Sequence, residues 1–366
     1  MTRWRYANPV AVHFGDGVLD QVAAQIGERA WLLVTHDGAP FAPMRERLLA
    51  NSRAPIAVAD QISPNPSLTM LQSLCSVLEP VADGIEVIVA LGGGSAMDTA
   101  KFLAAGHCDY MSVARYLDGH ATLGRKSLPI ITIPTTAGTG SELTKWATIW
   151  DPEHGRKLSL NRDDLYAEAA FIDPELTASL PWVLTVASGL DALSHALESI
   201  WNRNANPLTR RFAIAAAQDV LTALARLRTN LGDSDARTLL ARGAMGAGLA
   251  FSNTQTALAH NISYPITLAH DVPHGIACSF CLPEVMSAAI GVDAECDEAL
   301  RAIFGDLGDA PQALRRVLTG LGVAGDPAAY GVGDEEWRRI VADAFAGPRG
   351  RNFNGVPANF PSHPIA

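Results

Sequence analysis

The feature that most constrains the fold is an apolar run that ends directly in a glycine turn. Residues 86–91 read Glu-Val-Ile-Val-Ala-Leu and lead into Gly92-Gly93-Gly94-Ser95, after which residues 96–105 are helix-like. A short apolar run of this kind is typical of a buried strand in a parallel sheet. Glycines at a strand-to-helix turn let the backbone approach a phosphate, and the helix N-terminus supplies free N–H groups. A tight turn before a helix capped by Ser95 and Asp98 explains the same residues nearly as well.

The rest of the chain divides into two parts of different character. The first half alternates candidate strands with helix-like segments; the strands are expected at 30–34, 55–58, 85–91, 128–133 and 170–172. Such alternation predicts a doubly wound parallel sheet. From Pro181 onward almost every segment is helix-like, notably 191–201, 207–226, 234–259 and 310–321. We therefore predict an α/β domain at 1–180 and an all-helical domain at 181–366, with a loop-like tail from residue 347.

Composition excludes several classes of protein. The 366 residues carry 28 basic and 38 acidic side chains, a net charge of −10, with neither a basic stripe nor a long apolar segment. We therefore expect no binding to nucleic acid and no membrane span. The N-terminus lacks an apolar signal region, which favours a cytoplasmic protein. Five scattered cysteines argue against a disulfide framework, and we expect Cys278 and Cys281 to be small residues on one packed helix face.

A second loop rich in glycine and hydroxyl groups follows the next strand, in Pro-Thr-Thr-Ala-Gly-Thr-Gly-Ser-Glu at 134–142. Loops that follow adjacent parallel strands share the carboxyl edge of the sheet, where open α/β folds bind ligands. Together the two loops favour a nucleotide site over loops that satisfy only their own backbone. Lys101 and Lys145 fall just past the two loops; phosphate recognition and chance placement explain them equally well.

The helical half contains residues suited to a metal. Asp191 and His195 are four residues apart and share a face of a largely apolar helix, while His260 and His274 follow later. One carboxylate and three imidazoles can hold a divalent transition metal with a coordination position left for substrate. A surface pair of Asp191 and His195 is the competing interpretation. Spacing alone does not establish that His260 and His274 complete the same site.

With both loops and this set of one aspartate and three histidines, the chain resembles the iron-containing (group III) alcohol dehydrogenase family. The matching segments run in order from Phe14-Gly15-Asp16-Gly17 through Pro64-Asn65-Pro66, 92–101, 134–142, Asp173-Pro174 and 189–198 to His274. The resemblance implies a Rossmann-like dinucleotide-binding domain, a helical metal-binding domain, and NAD(P)-linked reduction of an aldehyde, in an architecture shared with dehydroquinate synthase. It also implies a homodimer or a larger homo-oligomer.

The resemblance implies site residues as well. The metal ligands of the family fall on Asp191, His195, His260 and His274, with Fe²⁺ expected and Zn²⁺ as the alternative. Its dinucleotide contacts fall on Asn65, Gly93, Gly94, Ser95, Asp98, Thr135, Thr136, Thr139, Thr144 and Lys157.

Two positions depart from the family pattern. Where many members have a further histidine after the third ligand, this chain has Tyr264, which is our first candidate for the proton relay, with His270 as the second. After the first strand the family often has Thr-Asp, whereas Thr35-His36-Asp37 displaces the acid by one residue. The cofactor is therefore NAD or NADP, and Asp37 favours NAD if it reaches the adenosine ribose.

The tail offers the only clue to the substrate. Arg349, Arg351 and Asn352 lie on a glycine-rich loop, and a guanidinium group matches the geometry of a phosphonate. Together with residues 260–264 and 276–280, this loop resembles the phosphonoacetaldehyde reductase branch, which makes 2-hydroxyethylphosphonate in phosphonate biosynthesis. The alternatives are a general short-chain alcohol dehydrogenase, a sugar-phosphate cyclase of the dehydroquinate-synthase type, and a non-catalytic nucleotide-binding protein.

Overall fold

The computed structural model describes residues 3–361, which form two compact units. One unit comprises residues 9–136 and 140–179 and contains a six-stranded sheet in the order β1-β8-β5-β4-β2-β3, parallel at every pairing. An antiparallel hairpin, β6-β7, accompanies this sheet. The strands are β1 (Ala11–Phe14), β2 (Trp31–Val34), β3 (Ala57–Ala59), β4 (Val87–Gly92), β5 (Ile130–Pro134), β6 (Trp146–Asp151), β7 (Arg156–Asn161) and β8 (Ala169–Ile172).

The central strands are buried on both faces, which explains their continuous apolar sequences. Every residue of β2, β4, β5 and β8 is buried, as expected when helices cover both faces of a parallel sheet. The chain winds outward from β2 to β3, then returns and winds the other way through β4, β5 and β8. The winding therefore reverses between β2 and β4, and ligands of open α/β sheets bind outside the carboxyl ends at such a point.

Sequence analysis finds five of these strands and misses three. The edge strand β1 is short and largely exposed, so it has no buried apolar run. The hairpin strand β7 is polar at four of its six positions, whereas β6 is largely apolar and buried and is missed although it carries an apolar run. The helices of this unit are α1 (Val22–Ile26), α2 (Ala42–Asn51), α3 (Leu68–Leu78), α4 (Gly94–Gly106) and α5 (Tyr110–Leu117).

The other unit is helical and comprises residues 3–8, 137–139 and 180–361. Its core consists mainly of buried alanine and leucine side chains from most of its helices. Those helices are α6 (Trp182–Ile200), α7 (Pro207–Thr229), α8 (Ser234–Thr254), α9 (Leu258–His270), α10 (His274–Ser279), α11 (Leu282–Ala289), α12 (Ala294–Phe304), α13 (Ala310–Gly320) and α14 (Asp334–Ala346).

Two predicted helices differ from the structure in ways that shape the site. The predicted helix 234–259 is interrupted, because Gln255 adopts a φ of 63° and a new helix starts at Leu258. The predicted helix 191–201 begins earlier, at Trp182, directly after Pro181. Short 3₁₀ turns at Gly350–Asn352 and Pro357–Asn359 interrupt the tail, and residues 362–366 lie outside the described part. Among residues 3–361, none of the helices combines the length and apolarity needed to cross a bilayer.

Candidate functional site

One face of α6 carries three functional side chains. Asp191, His195 and Glu198 follow a spacing of four and then three residues, which aligns them along the helix. All three are buried, at 4%, 5% and 0% exposure. Buried carboxylates and imidazoles need charged or hydrogen-bonding partners, so this face must meet a complementary group.

Helices α9 and α10 bring two further histidines to the same place. His260 lies in the first turn of α9, and His274 is the first residue of α10. The close approach of α10 to α6 depends on Gly275, because a Cβ atom there would lie 1.8 Å from the carbonyl oxygen of Ala187. Only glycine permits this contact, which brings the start of α10 against Asp191.

The imidazoles of these histidines converge on one carboxylate oxygen. The Nε2 atoms of His260, His195 and His274 lie 3.5, 3.8 and 4.0 Å from Asp191 Oδ1. Within residues 3–361, Asp191 Oδ1 and His260 Nε2 are buried and have no hydrogen-bond partner. Ligand atoms bonded to one tetrahedral metal at about 2.1 Å lie about 3.4 Å apart. These separations fit a set of ligands around one cation.

Glu198 orients the imidazole of His260. Its carboxylate accepts hydrogen bonds from the backbone N–H groups of Ala257 and Ala259, at the start of α9. The same carboxylate accepts a hydrogen bond from His260 Nδ1 at 2.6 Å. With the proton on Nδ1, the lone pair of Nε2 is free to bind a metal. Sequence analysis misses Glu198, although its place in an apolar helix, three residues after His195, is the signal that identifies it.

The protonation states of the cluster suit metal binding. Burial opposes ionisation of Asp191, but His195 and the other imidazoles outweigh it and lower the pKa of that carboxyl below its usual range. Burial lowers the pKa of His195 to about 4, against the opposing attraction of Asp191. Its ring also stacks on Phe251, with centroids 3.9 Å apart. At neutral pH the site therefore offers a carboxylate and a neutral imidazole.

The structure adds Cys278 to this cluster. Ligand atoms of Asp191, His260, His274 and Cys278 all lie within 4.8 Å of one another. The expectation for Cys278 and Cys281 is confirmed for burial and wrong for the shared helix: both are buried, but α10 ends at Ser279 and Cys281 precedes α11. Cys278 follows His274 by four residues, the same spacing that relates Asp191 to His195. We name Asp191, His195, His260, His274 and Cys278 the metal-ligand cluster.

The two candidates for the proton relay occupy different places. The ring of Tyr264, one turn after His260, is half-buried and lies nearly parallel to that of His274, with centroids 6.0 Å apart. His270 ends α9, and its Nε2 atom lies 3.1 Å from Glu336 Oε1 on α14. Ten residues of helix separate His270 from His260, about 15 Å along the axis. The structure brings Tyr264 to the cluster and leaves His270 away from it.

In the α/β unit, three strand ends offer polar groups at the point where the winding reverses. Helix α4 starts at Gly94 directly after β4, and its N-terminus has no side-chain cap in the described part of the chain. The hydroxyls of Thr35, after β2, and Thr135, after β5, are buried without a partner among residues 3–361. Asp37 is exposed just past β2, where its carboxylate accepts a hydrogen bond from Gln61. A helix N-terminus with nearby hydroxyls suits the phosphates of a dinucleotide.

The chain's own groups already engage two of the expected dinucleotide contacts. Lys101 is fully buried and donates to Ser141 O, Ser141 Oγ, Thr144 Oγ1 and Trp146 O at 2.7–3.1 Å. The carboxylate of Asp98 accepts from Ser141 Oγ and from the backbone of Thr148. We name Lys101, Asp98, Ser141 and Thr144 the lysine network. Asp98 therefore does not cap α4, contrary to the spacing argument.

The remaining residues predicted to contact the dinucleotide lie on separate segments of the chain. Asn65 has a φ of 57°, and its backbone N–H donates to Ser95 Oγ, which ties its loop to the start of α4. Lys157 lies on β7 opposite Trp150. Thr136 belongs to the α/β unit, whereas Thr139 belongs to the helical one.

The predicted substrate residues of the tail mostly bind the protein itself. Arg349 donates to Gln255 Oε1, and Asn352 Nδ2 donates to Thr256 O, so both hold the segment before α9. Arg351 is exposed, and its guanidinium donates to the carbonyl of Ala346 at 3.2 Å. Of these three side chains, Arg351 is the one with the most freedom to meet an anion.

Comparison with known proteins gives a consistent result for both units. Residues 9–174 match the family model for iron-containing alcohol dehydrogenase, and residues 185–360 match the C-terminal model of the Fe-containing alcohol dehydrogenase family. The chain is 32% identical to long-chain-alcohol dehydrogenase 1 of Geobacillus thermodenitrificans over 362 residues, 96% of this chain and 87% of that one. It is 31% identical to sulfoacetaldehyde reductase of Bilophila wadsworthia over 305 residues, 79% and 77% of the two chains. The crystal structure of sulfoacetaldehyde reductase from Bifidobacterium kashiwanohense in complex with NAD⁺ superposes with a TM-score of 0.88 at 31% identity, covering 97% of this chain and 95% of that one.

Proposed function

The chain belongs to the iron-containing alcohol dehydrogenase family, and from that premise we propose that it reduces phosphonoacetaldehyde to 2-hydroxyethylphosphonate with NADH. Its membership makes it an oxidoreductase that acts on aldehydes and alcohols. The observation that carries the proposed chemistry is the convergence of three imidazoles on Asp191 Oδ1.

We assign the metal-binding role to Asp191, His195, His260 and His274. A divalent cation held there, Fe²⁺ or Zn²⁺, would act as a Lewis acid toward the substrate carbonyl. Glu198 keeps His260 in the tautomer that presents Nε2. Tyr264 is the proposed proton donor to the product oxygen, since it is the relay candidate whose ring lies beside His274. His270 has no part in this proposal.

The α/β unit is the proposed site of the dinucleotide, which supplies the hydride. Gly93, Gly94 and Ser95 at the start of α4 would receive the pyrophosphate, and Thr135 would donate from the end of β5. Asp37 supports the choice of NADH, because a carboxylate near the adenosine ribose hydrogen-bonds its hydroxyls and repels a 2′-phosphate. Asp37→Asn should therefore lower the ratio of kcat/KM with NADH to kcat/KM with NADPH. An unchanged ratio would show that Asp37 does not select the cofactor.

The proposed substrate class is a two-carbon aldehyde with an anionic group. Two of the similar proteins are named for sulfoacetaldehyde, which carries a sulfonate where phosphonoacetaldehyde carries a phosphonate. The exposed guanidinium of Arg351 can bind either oxyanion. A general short-chain aldehyde reductase is the second candidate, because Arg349 and Asn352 are already hydrogen-bonded to the protein. The cytoplasmic location and the homo-oligomeric state stay predictions.

An anaerobic assay of Fe²⁺-loaded protein tests the substrate. Oxidation of NADH and NADPH would be followed with phosphonoacetaldehyde, sulfoacetaldehyde and acetaldehyde. A preference in kcat/KM of roughly a hundredfold for the phosphonate over acetaldehyde, about 2.7 kcal/mol, supports the proposal. Comparable rates would indicate a general aldehyde reductase. Turnover without net oxidation of the cofactor would indicate a cyclase.

A variant separates anion recognition from chemistry. Arg351→Ala should raise KM for phosphonoacetaldehyde and leave KM for acetaldehyde unchanged, because only the anionic substrate needs the guanidinium. Arg316→Ala is the matched control, since Arg316 pairs with Asp309 at an exposed position of the same unit. Equal effects of Arg351→Ala on both substrates would show that this arginine binds no substrate anion.

A further inference from the structure

The segment that joins α8 to α9 has a strained backbone. It comprises residues 255–257, between the end of α8 at Thr254 and the start of α9 at Leu258. Gln255 has a φ of 63° and a ψ of 174°, a combination that residues other than glycine rarely adopt. Such a conformation persists only where the surrounding contacts hold it. Because His260 follows this segment by three residues, the position of its imidazole depends on those contacts.

Side chains of α6 and the residues after it hold part of this segment. The carboxylate of Glu198 accepts a hydrogen bond from the backbone N–H of Ala257 at 2.8 Å. Asn202, two residues past the end of α6, donates its Nδ2 to the carbonyl of Gln255 at 3.1 Å. The carbonyls at the end of a helix need donors of this kind, because no further turn supplies them. The carbonyl of Thr256 and the side chain of Gln255 take other partners.

Those partners come from the tail of the chain. The guanidinium of Arg349 donates to Gln255 Oε1. The side chain of Asn352 donates from Nδ2 to the carbonyl of Thr256 at 2.9 Å. The paired residues are 94 and 96 positions apart in the sequence. Two side chains of one short turn therefore hold two consecutive residues of the strained segment.

The tail is itself fixed to the helical unit, so it can act as an anchor. The backbone N–H of Arg203 donates to the carbonyl of Asn352 at 2.7 Å, and its Nε donates to the carbonyl of Phe353 at 2.9 Å. Phe353 is buried, at 2% exposure. Gly350 lets the tail lie against the end of α14, because a Cβ atom there would lie 2.0 Å from the carbonyl oxygen of Ala344.

We propose that Arg349 and Asn352 are positioning residues, which hold Gln255 and Thr256 in this conformation and thereby place His260 in the metal-ligand cluster. The inference rests on the proposed function for the role of His260 as a metal ligand. It assigns the two side chains to the construction of the metal site and not to the substrate anion. Arg351 lies between them, and its guanidinium donates to Ala346 within the same tail, so it provides a matched control.

Metal affinity tests the positioning role. The metal-depleted full-length protein and its variants would be titrated with Zn²⁺. Arg349→Met and Asn352→Ala should each lower the affinity for Zn²⁺ about tenfold, because a displaced His260 binds the ion less well. Arg349→Lys, which keeps a donor, should recover most of this loss, and Arg351→Met should match the wild type. Wild-type affinity in both Arg349→Met and Asn352→Ala would overturn the proposal, as would an equal loss in Arg351→Met.

Amide hydrogen exchange of the metal-free protein observes the segment directly and needs no activity. Peptides that contain residues 255–261 should exchange faster in Arg349→Met and Asn352→Ala than in the wild type. Peptides from α12, in the same unit, should exchange at the wild-type rate. Unchanged exchange at 255–261, or faster exchange in both regions alike, contradicts a local positioning role. If Arg349→Met does not fold, Asn352→Ala, which removes a single hydrogen bond, decides both measurements.

The outcomes separate this inference from the proposed function. If the wild type binds Zn²⁺ and reduces aldehydes, and the variants match it in affinity and exchange, the inference is wrong and the proposed function stands. If the variants raise KM for phosphonoacetaldehyde at wild-type Zn²⁺ affinity, Arg349 and Asn352 bind substrate, which also contradicts the positioning role. If the wild type binds no Zn²⁺, both proposals fail.

Discussion

The metal-ligand cluster and the lysine network both bury charge, but they neutralise it differently. In the α/β unit, Lys101 makes four hydrogen bonds to groups of the chain itself. In the helical unit, Asp191 Oδ1 and His260 Nε2 are equally buried and have no hydrogen-bond partner within residues 3–361. A satisfied network stabilises the fold by itself, whereas an unsatisfied one indicates an absent ligand. The same property, buried charge, thus marks a structural element in one unit and a binding site in the other.

The largest expected effect comes from neutralising the centre of the metal-ligand cluster. Asp191→Asn keeps the side-chain shape but removes the charge that the three imidazoles face. Bound metal should fall far below one ion per chain, and kcat/KM should fall roughly a thousandfold or more. Elemental analysis and the aldehyde assay measure both. Asp219→Asn, at a surface pair with Arg242, is the control. Full metal content in Asp191→Asn would contradict the assignment.

A smaller loss is expected when the support of one ligand is removed. In Glu198→Gln the side-chain N–H₂ group would face another donor, either a backbone N–H at the start of α9 or His260 Nδ1–H. This clash disfavours the tautomer of His260 that carries its proton on Nδ1 and offers Nε2 to the metal. Metal affinity should fall about 10–100-fold, as found for other groups that orient a ligand. Metal titration measures it. Glu336→Gln, which removes the charge of the side chain that contacts His270, should leave metal affinity unchanged. An equal loss in both variants would mean that Glu198 has no specific role.

Replacing the buried lysine should affect stability and spare metal binding. Lys101→Met removes the ammonium group that donates to the carbonyl oxygens of Ser141 and Trp146. The free energy of unfolding should fall by about 3 kcal/mol, with metal content intact. Urea denaturation provides the value. Lys145→Met is the matched control, because Lys145 pairs with the exposed Asp163 and should cost less than about 1 kcal/mol. Similar losses of unfolding free energy in the two variants would show that the lysine network stabilises the fold no more than an exposed ion pair does.

The last expected effect is confined to a range of pH. Burial raises the pKa of Glu142 from 4.5 to about 7, against the opposing hydrogen bond from its own backbone and the charge of Lys101. The folded state therefore binds this proton more tightly than the unfolded state, and the contribution of Glu142 to stability falls as pH rises from 4.5 to about 7.

Glu142→Gln cannot titrate, so its stability relative to wild type should increase across this range and then level off. Urea denaturation at a series of pH values measures the difference. Glu153→Gln, at an exposed position, should show no such trend. A constant difference for Glu142→Gln across the range would mean that Glu142 ionises normally in the folded protein.

The sequence determined the parts of this protein that depend on local pattern. Continuous apolar runs predict the buried strands β2, β4, β5 and β8, because a strand covered on both faces has no polar side. The spacing of Asp191 and His195 predicts their common face, because a helix repeats every 3.6 residues. The exposed edge strand β1 and the polar hairpin strand β7 lack such a pattern, so they could not be found this way.

Only the tertiary structure decided which distant residues share the site. Gly275 allows α10 to approach α6, and this contact, made across more than eighty residues of sequence, brings His274 and Cys278 to Asp191. The same packing gives His260 its partner Glu198 and pairs His270 with Glu336 instead. Local spacing specifies a face within one helix, but which faces meet depends on backbone contacts between helices, and a single sequence does not display those contacts.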